Sequence, residues 1–448
     1  MRATPCCACL CLVGLLPLAA AEGPAGKKAQ PQAPSVAQLI RQLGDEDFRA
    51  RDQAMRALEA LGPQALPEMR KALPNEDAEI ARRLAALIPR METAARLTPK
   101  RVTLKASQQP LQKIVQELAK QSGYPIDFWG GGNLERRYDL QLDNVTFWEA
   151  FDRIDQLAGL VPQSGYGDDR LRVQHQDTVT PHVCRDGCFR AVAGSLQQYR
   201  VMDLSSFPRS APGPRRSESL TFSFTVWAEP KLPLMGIGEP KVVAAVDEAG
   251  RSMAPAKPDD APDGPPFLRR VHVSRYGNGY RSLSQQGSVA LVRPSEKSRS
   301  IKRLKVSVPV TILAEQRLEV VAADVMKAKG KKAAVGTTTF SIEDVTVTPN
   351  KQYQLKMTVA EDNKDSPNDY SWMNSLYNRV ELRDEKGNKY QAYGSSWGNS
   401  GPNLVHLTLT YGPPGNVANM GPPKKLVYHV WKLMPHQVTF EFKDLPLP

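Results

Sequence analysis

The sequence predicts a multidomain protein: a small all-α repeat, then an α+β module of order βαββαβ, then two all-β Ig-like sandwiches. The chain has 448 residues, enough for three or four domains at ~100–200 residues each. Apolar residues recur with helical spacing in the first third of the chain and alternate with polar ones in much of the rest. The 37 prolines and 31 glycines favour short strands joined by turns.

The N-terminal residues have the pattern of a secretory signal peptide. Arg2 gives a short basic start, an apolar stretch runs from Cys6 to Leu18, and Ala19-Ala20-Ala21 offers a small-residue cleavage site. The apolar stretch is shorter than the roughly 20 residues that span a bilayer. We therefore expect a signal peptide over 1–21, a flexible leader over 22–34, and export to the periplasm or the extracellular space.

Residues 35–96 carry a short helical repeat. The sequence Leu43-Gly44-Asp45-Glu46-Asp47 recurs 30 positions later as Leu73-Pro74-Asn75-Glu76-Asp77. Each copy predicts an acidic turn that follows one helix and caps the next. The segment resembles a HEAT-type repeat pair of somewhat short period, which implies either a protein-binding surface or a packed N-terminal cap.

Residues 99–175 predict a small α/β module. One helix opens at Pro110 and ends at Gly123, and a second begins after Thr146 and ends at Gly159. The stretches VTLKASQQPLQKIVQELAKQSGYPIDF and YDLQLDNVTFWEAFDRI resemble the STN domain, the short N-terminal module of secretins and TonB-dependent receptors.

The resemblance to the STN domain implies a module that lies outside the cytoplasm and makes protein–protein contacts. In this sequence no secretin pore region and no plug-barrel follow the module, so pore formation and gating are not implied. The resemblance therefore points to a non-catalytic interaction module.

Residues 188–325 and 335–448 predict two β-sandwiches, because apolar and polar residues alternate in runs that are separated by turn signals. Within the first sandwich, residues 249–266 contain almost no large apolar side chain and predict a disordered loop. At the end of the second, residues 425–431 and 437–442 predict two separate strands.

The two predicted sandwiches share short segments of similar sequence. FTVWAEP at 224–230 resembles MTVAED at 357–362, and VDEAG at 246–250 resembles RDEKG at 383–387. Each member of the second pair predicts the turn of a hairpin. We interpret the two sandwiches as copies of one architecture.

Cys184 and Cys188 are the cysteines that remain once the predicted signal peptide is removed. In an oxidising compartment a pair this close predicts a disulfide. Two other interpretations stay open. His175 and His182 would complete a tetrahedral zinc site, although the spacing matches no standard zinc pattern, and the two thiols could also be free.

Nearly all of the net charge of +12 sits in residues 176–333, which carry 25 basic against 15 acidic residues. A localised positive field can attract anionic partners, whereas a solvated charged face is the simpler explanation. The residues predicted to contribute to a polyanion-binding face are Arg215, Arg216, Arg269, Arg270, Lys302, Arg303 and Lys305.

Aromatic residues concentrate in the last domain, where they can form a core or stack on sugars. The segment YGSSWGNSGPN at 393–403 places a tryptophan among small polar residues, which is more typical of a surface than of a core. We predict a ligand-binding loop there, with Tyr393, Trp397 and Asn399 as its contact residues.

Recognisable catalytic motifs are absent from the sequence: no G-x-S-x-G, no H-E-x-x-H and no phosphate-binding glycine loop occurs. The acidic pairs Glu343-Asp344 and Glu361-Asp362 are adjacent, so on a strand their side chains would point to opposite faces. His406 and His429 fall in predicted strands, where sheet-face positions are usual. We therefore expect a protein that is not an enzyme, with no catalytic residues, no cofactor and no bound metal.

Three functional hypotheses remain. The first is an exported, non-catalytic envelope protein that acts as a protein–protein interaction scaffold, with envelope proteins as partners. The alternative is a carbohydrate- or polyanion-binding protein that uses the sandwich faces, with an anionic polysaccharide as ligand. The third is a hydrolase assembled from distant residues, which needs two carboxylates ~5–10 Å apart in the last domain. We expect no nucleic-acid partner and at most a peripheral contact with a membrane.

Overall fold

A computed structural model of the chain describes residues 34–163, 170–176, 178–203, 215–255, 279–350, 352–362, 371–415 and 420–448. The chain divides into two compact units, residues 1–95 and residues 96–448. The predicted signal peptide and the leader lie outside the described residues, except for Pro34. Among the described residues, no helix is both long enough and apolar enough to cross a membrane. The chain is largely β, with antiparallel sheets following a helical start.

The first unit consists of helices joined by two acid-capped turns. Its helices are α1 (Val36–Gln42), α2 (Phe48–Leu61), α3 (Leu66–Lys71) and α4 (Ala78–Leu97), whose last two residues already belong to the second unit. Asp47 caps α2 by accepting a 3.0 Å hydrogen bond from the Arg49 N–H, and Asp77 caps α4 by accepting one of 2.8 Å from the Glu79 N–H. The two turns that echo each other in sequence are thus capped in the same way.

The second unit begins with an α/β module. Its elements are β1 (Arg101–Pro110), α5 (Leu111–Ser122), β2 (Ile126–Phe128), β3 (Arg137–Thr146), α6 (Phe147–Ala158), β4 (Leu160–Gln163) and β5 (Leu171–His175). Strands β1 and β3 pair antiparallel, and β5 lies between β2 and β4 in a second small sheet. Gly123 and Gly159 end the two helices in the left-handed conformation, with φ of 72° and 62°.

Two sheets enclose the core of what we call the first β domain. One contains β6 (Val183–Asp186), β7 (Phe189–Asp203), β8 (Arg215–Ala228) and β11 (Ser284–Leu291). The other contains β9 (Leu234–Ile237), β10 (Lys241–Asp247) and the first half of β12 (Ser300–Ala322). Aromatic and aliphatic residues from both sheets share one core, among them Phe222, Phe224, Val306, Val308 and Val310. Most of the predicted loop at 249–266 lies outside the described residues.

The second β domain is built in the same way. One sheet contains β13 (Lys332–Val335), β14 (Thr338–Val347), β15 (Tyr353–Glu361), β17 (Gln391–Gly401) and β18 (Leu404–Gly412). The opposite sheet contains β16 (Val380–Asp384), the second half of β12 and the first half of β19 (Pro423–Pro446). Helix α7 (Ser371–Arg379) contributes Trp372 and Leu376 to the core between the sheets.

The two β domains share strands β12 and β19, which pair antiparallel from Ser300–Pro446 at one end to Ala322–Leu426 at the other. Val438, Phe440 and Phe442 therefore lie in the core of the first β domain rather than the second. The predicted boundaries at 188–325 and 335–448 were wrong in this respect, and so were the separate strands at 425–431 and 437–442. β19 is continuous because it crosses from one domain core to the other.

The sequence similarity between the two sandwiches is accompanied by a matching strand order in the two β domains. The strand order β11-β8-β7-β6 in the first β domain matches β18-β15-β14-β13 in the second, and β10-β12-β19 matches β16-β19-β12. Each hairpin turn is closed by a buried aspartate, Asp247 or Asp384, whose carbonyl accepts the N–H of Gly250 or Gly387 three residues on. Those glycines have φ of 77° and 86°, which other residues rarely adopt. In each domain, one sheet includes the end of the other domain's last strand.

Candidate binding surfaces

Glu229 joins the α/β module to the first β domain. Its carboxylate has no exposed surface, accepts a 2.5 Å hydrogen bond from the Tyr124 hydroxyl, and accepts the N–H of Lys100 at 3.2 Å on both oxygens. Lys231 places its ammonium 3.5 Å away. Burial raises the pKa of Glu229, while the donors from Tyr124 and Lys231 oppose that rise.

A second buried network lies at the same junction. Arg190 of β7 is 1% exposed, donates from Nε to Asp152 of α6 at 2.6 Å, and has Nη2 3.5 Å from Asp155. Arg185 also pairs with Asp152. The indole N–H of Trp148 donates to the Cys188 carbonyl at 3.0 Å. Breaking such a buried network by removing one partner is costly, so we regard the module and the first β domain as firmly joined.

Cys184 and Cys188 are free thiols, and the predicted disulfide is therefore wrong in this structure. Gly187 and Cys188 form the two-residue turn between β6 and β7, which sets Cys184 opposite Ala191. The Cys188 sulfur instead donates to the Leu97 carbonyl at 3.0 Å. Burial raises the pKa of each thiol to about 12, so both are unreactive thiols at neutral pH.

A zinc site with His175 and His182 is not formed either. Across the residues that the structure describes, no group of three or more His, Cys, Asp or Glu side chains could hold a metal ion.

Of the residues predicted to form a polyanion-binding face, Lys302, Arg303 and Lys305 have described side chains. Arg269 and Arg270 lie outside the described residues, and for Arg215 and Arg216 only the backbone, in β8, is described. Lys302 pairs with Asp444 at 2.7 Å. The remaining two residues lie on β12, where Arg303 is opposite Lys443 and Lys305 is opposite Glu441.

Tyr393, Trp397 and Asn399 lie on a strand, and the prediction of a loop at 393–403 was wrong for most of that range. The strand is β17, which is paired with β18 and forms one end of its sheet's strand order. Tyr393 is 51% exposed and Trp397 41%, so the predicted surface position of both rings is confirmed. The small residues between them let the chain continue as an irregular strand with two register shifts.

His406 and Glu343 lie on the outward face of the second β domain, on β18 and β14. The Nδ1 of His406 lies 2.8 Å from the Thr358 hydroxyl oxygen and 3.3 Å from Oε1 of Glu343. The hydrogen bond from Thr358 is the main cause that lowers the pKa of Glu343. Glu361 is 3% exposed, and its oxygens accept the hydroxyls of Thr337 and Thr338 at 2.6 Å each.

Five residues form what we call the Glu381 cluster: Glu381, Arg383, Lys389, Lys425 and His429. Oε1 of Glu381 lies 2.6 Å from the Lys389 ammonium and 2.8 Å from Nε2 of His429, and Oε2 lies 2.8 Å from Nη2 of Arg383. Burial would raise the pKa of Glu381, but hydrogen bonds from His429, Lys389 and Arg383 outweigh it and hold the pKa far below its usual range.

Comparisons with known proteins add little to this picture. No family model matches the sequence. No curated protein matches it either. Among solved structures, a conserved domain protein from Bacillus anthracis is 8% identical and aligns over 57% of this chain and 88% of its own. Its TM-score of 0.16 is too low to support an argument about fold or function.

Sequence reasoning predicted neither of the two buried networks, nor the Glu381 cluster. For Glu229 a signal was present, because the similar segments FTVWAEP and MTVAED each have a glutamate as the second-last residue, Glu229 and Glu361, and both glutamates are buried. Asp152 and Arg190 carry no such signal, since the two residues lie 38 positions apart in the sequence.

Proposed function

We propose that this protein is an exported, non-catalytic scaffold for protein–protein interaction. The observation that carries the proposal is the use of its buried ionisable groups. Glu229, Asp152 and Arg190 are engaged with groups of a neighbouring module or domain rather than aimed into a site. Groups held in this way join modules, and they leave the outer surfaces to meet partners.

The arrangement of modules supports the same proposal. We infer that residues 35–96 are a HEAT-like repeat pair, that residues 99–175 are an STN-like module, and that the two β domains are Ig-like sandwiches with exchanged strand ends. Modules of these kinds commonly present binding surfaces on rigid frames. The signal-peptide pattern supports export, with envelope proteins as partners and a location in the periplasm or outside the cell.

Site-directed photocrosslinking in the envelope tests the scaffold. A crosslinking residue replaces an exposed side chain, one position at a time, on three separate surfaces: Trp129, Tyr199 and Trp397 are 56%, 51% and 41% exposed. We expect a discrete adduct with a defined envelope protein from at least one surface. Ala228, which is fully buried, is the matched control and should give none. Absence of adducts at all three surfaces would contradict the scaffold.

Carbohydrate binding is a second candidate, and the exposed rings of Tyr393 and Trp397 on β17 favour it. Binding to an oligosaccharide array tests it with Trp397→Ala and with the control Trp129→Ala on the α/β module. Loss confined to the first variant would support a sugar site, whereas equal binding by both variants and the unaltered chain would exclude one at β17.

A further inference from the structure

The Glu381 cluster contains more basic side chains than its single carboxylate can neutralise. One carboxylate, that of Glu381, lies beside Arg383, Lys389 and His429. Lys425 is exposed and lies directly opposite Arg383 in the pairing of β16 with β19. Like charges in directly opposed positions destabilise a sheet, so this pairing has a cost within the fold.

The first β domain shows that the fold does not need this cluster. Its β10 hairpin has the same bridge and the same bulge as the β16 hairpin, which aligns the two residue by residue. At the positions of Glu381, Arg383 and Lys389 it has Ala244, Val246 and Ser252. All three of these side chains are uncharged. A cluster needed to close the hairpin would be found in both copies.

His429 adds a second cost. It is 6% exposed, and its Nδ1 makes no hydrogen bond, whereas Nε2 lies 2.8 Å from Oε1 of Glu381. A buried polar atom without a hydrogen-bond partner destabilises the fold. Local arrangements that are unfavourable for the fold are expected at functional sites.

Exposed aliphatic residues continue the same face. Leu318 lies opposite His429 and Val320 opposite Val427 in the pairing of β12 with β19, so their side chains project to the side of the cluster. Leu318 is 46% exposed and Val320 55%. The face therefore combines a cationic row with an apolar edge.

We propose that this face of the second β domain binds anionic lipid headgroups at a membrane surface. Lys425, Lys389 and Arg383 attract the headgroup phosphates, while Leu318 and Val320 contact the boundary of the acyl region. A soluble polyanion would use the cations but not the aliphatic pair, and for that reason the arrangement favours lipid. This lipid-binding surface is independent of the proposed role as a protein–protein scaffold.

Cosedimentation of the chain from residue 22 onward with vesicles of phosphatidylcholine, with and without phosphatidylglycerol, tests the proposal. Each basic residue near an anionic surface contributes about 1 kcal/mol, so Lys425→Gln should weaken partitioning onto anionic vesicles about fivefold. Lys241→Gln is the matched control, because it makes the same substitution at an exposed lysine of the first β domain, on β10. We expect it to bind like the unaltered chain.

The double variant Leu318→Ser/Val320→Ser separates lipid from polymer. It should bind anionic vesicles more weakly and soluble polyglutamate unchanged, while Val347→Ser, at an equally exposed valine, should alter neither. Equal losses from Lys425→Gln and Lys241→Gln would show a net-charge effect and overturn the proposal. Undiminished vesicle binding by the double variant would also overturn it. Photocrosslinking to envelope proteins reports on the scaffold independently of these results.

Discussion

The Tyr124 hydroxyl donates a 2.5 Å hydrogen bond to the Glu229 carboxylate, and this contact joins the α/β module to the first β domain. Tyr124 is 6% exposed and Glu229 has no exposed surface, so no solvent replaces the donor if it is lost. The same carboxylate accepts the Lys100 N–H from the segment before β1. One glutamate thus holds three parts of the second unit together.

Tyr124→Phe should lower the free energy of unfolding by about 1–3 kcal/mol, because the buried carboxylate of Glu229 loses its shortest hydrogen bond. Urea unfolding followed by tryptophan fluorescence measures the loss. Tyr199→Phe, at a residue 51% exposed, is the control and should change stability by less than about 0.5 kcal/mol. Equal stability of both variants would show that the Tyr124 contact carries no weight in the junction.

Local patterns predicted much of the fold. The acid-capped turns at Asp47 and Asp77 and the alternation through Val306, Val308 and Val310 are local features, and the structure has the expected elements there. Local sequence also predicted that VDEAG and RDEKG each form a hairpin turn, since turns of one kind need similar residues.

Long-range arrangement could not be predicted in this way. The separate strands predicted at 425–431 and 437–442 are one strand, although Pro435 lies between them and proline lacks the N–H that a sheet interior requires. In the structure β19 lies at the edge of its sheet at that level, with β12 its paired neighbour, so the missing N–H is tolerated. Likewise, Cys184 and Cys188 are close in sequence, but the two-residue turn between β6 and β7 separates their environments.

The shared ribbon of β12 and β19 predicts that the first β domain cannot fold from its contiguous sequence. A fragment of residues 183–325 lacks Val438, Phe440 and Phe442, which are buried in its core. We expect it to show no near-ultraviolet circular dichroism and no cooperative unfolding. The same fragment fused through a short linker to residues 433–448 should regain both. A cooperative transition in the fragment alone would contradict the strand exchange.

Asp247 should account for part of the loss of folding stability at low pH. Desolvation would raise its pKa, but hydrogen bonds from the Arg251 side chain and backbone and from Ser298 outweigh this and lower the pKa from 3.8 to about 2. Because the folded pKa lies below the unfolded value, this contribution is present above pH 3.8 and is lost as the pH falls toward 2. Asp247→Asn should flatten the decline of unfolding free energy across that window and leave the slope above pH 5 unchanged. A decline as steep as in the unaltered chain would assign the acid sensitivity to other carboxylates.

Thiol labelling distinguishes the free thiols of the structure from a Cys184–Cys188 disulfide. In the chain from residue 22 onward, Cys184 and Cys188 are the remaining cysteines, and burial raises the pKa of each to about 12. Ellman's reagent should therefore react slowly with the native protein and release two equivalents, without reductant, once urea unfolds it. Cys184→Ser should release one equivalent under the same conditions. Release of no thiol from the unfolded, unreduced chain would show that the pair is oxidised and that the Cys188 contact with Leu97 does not form.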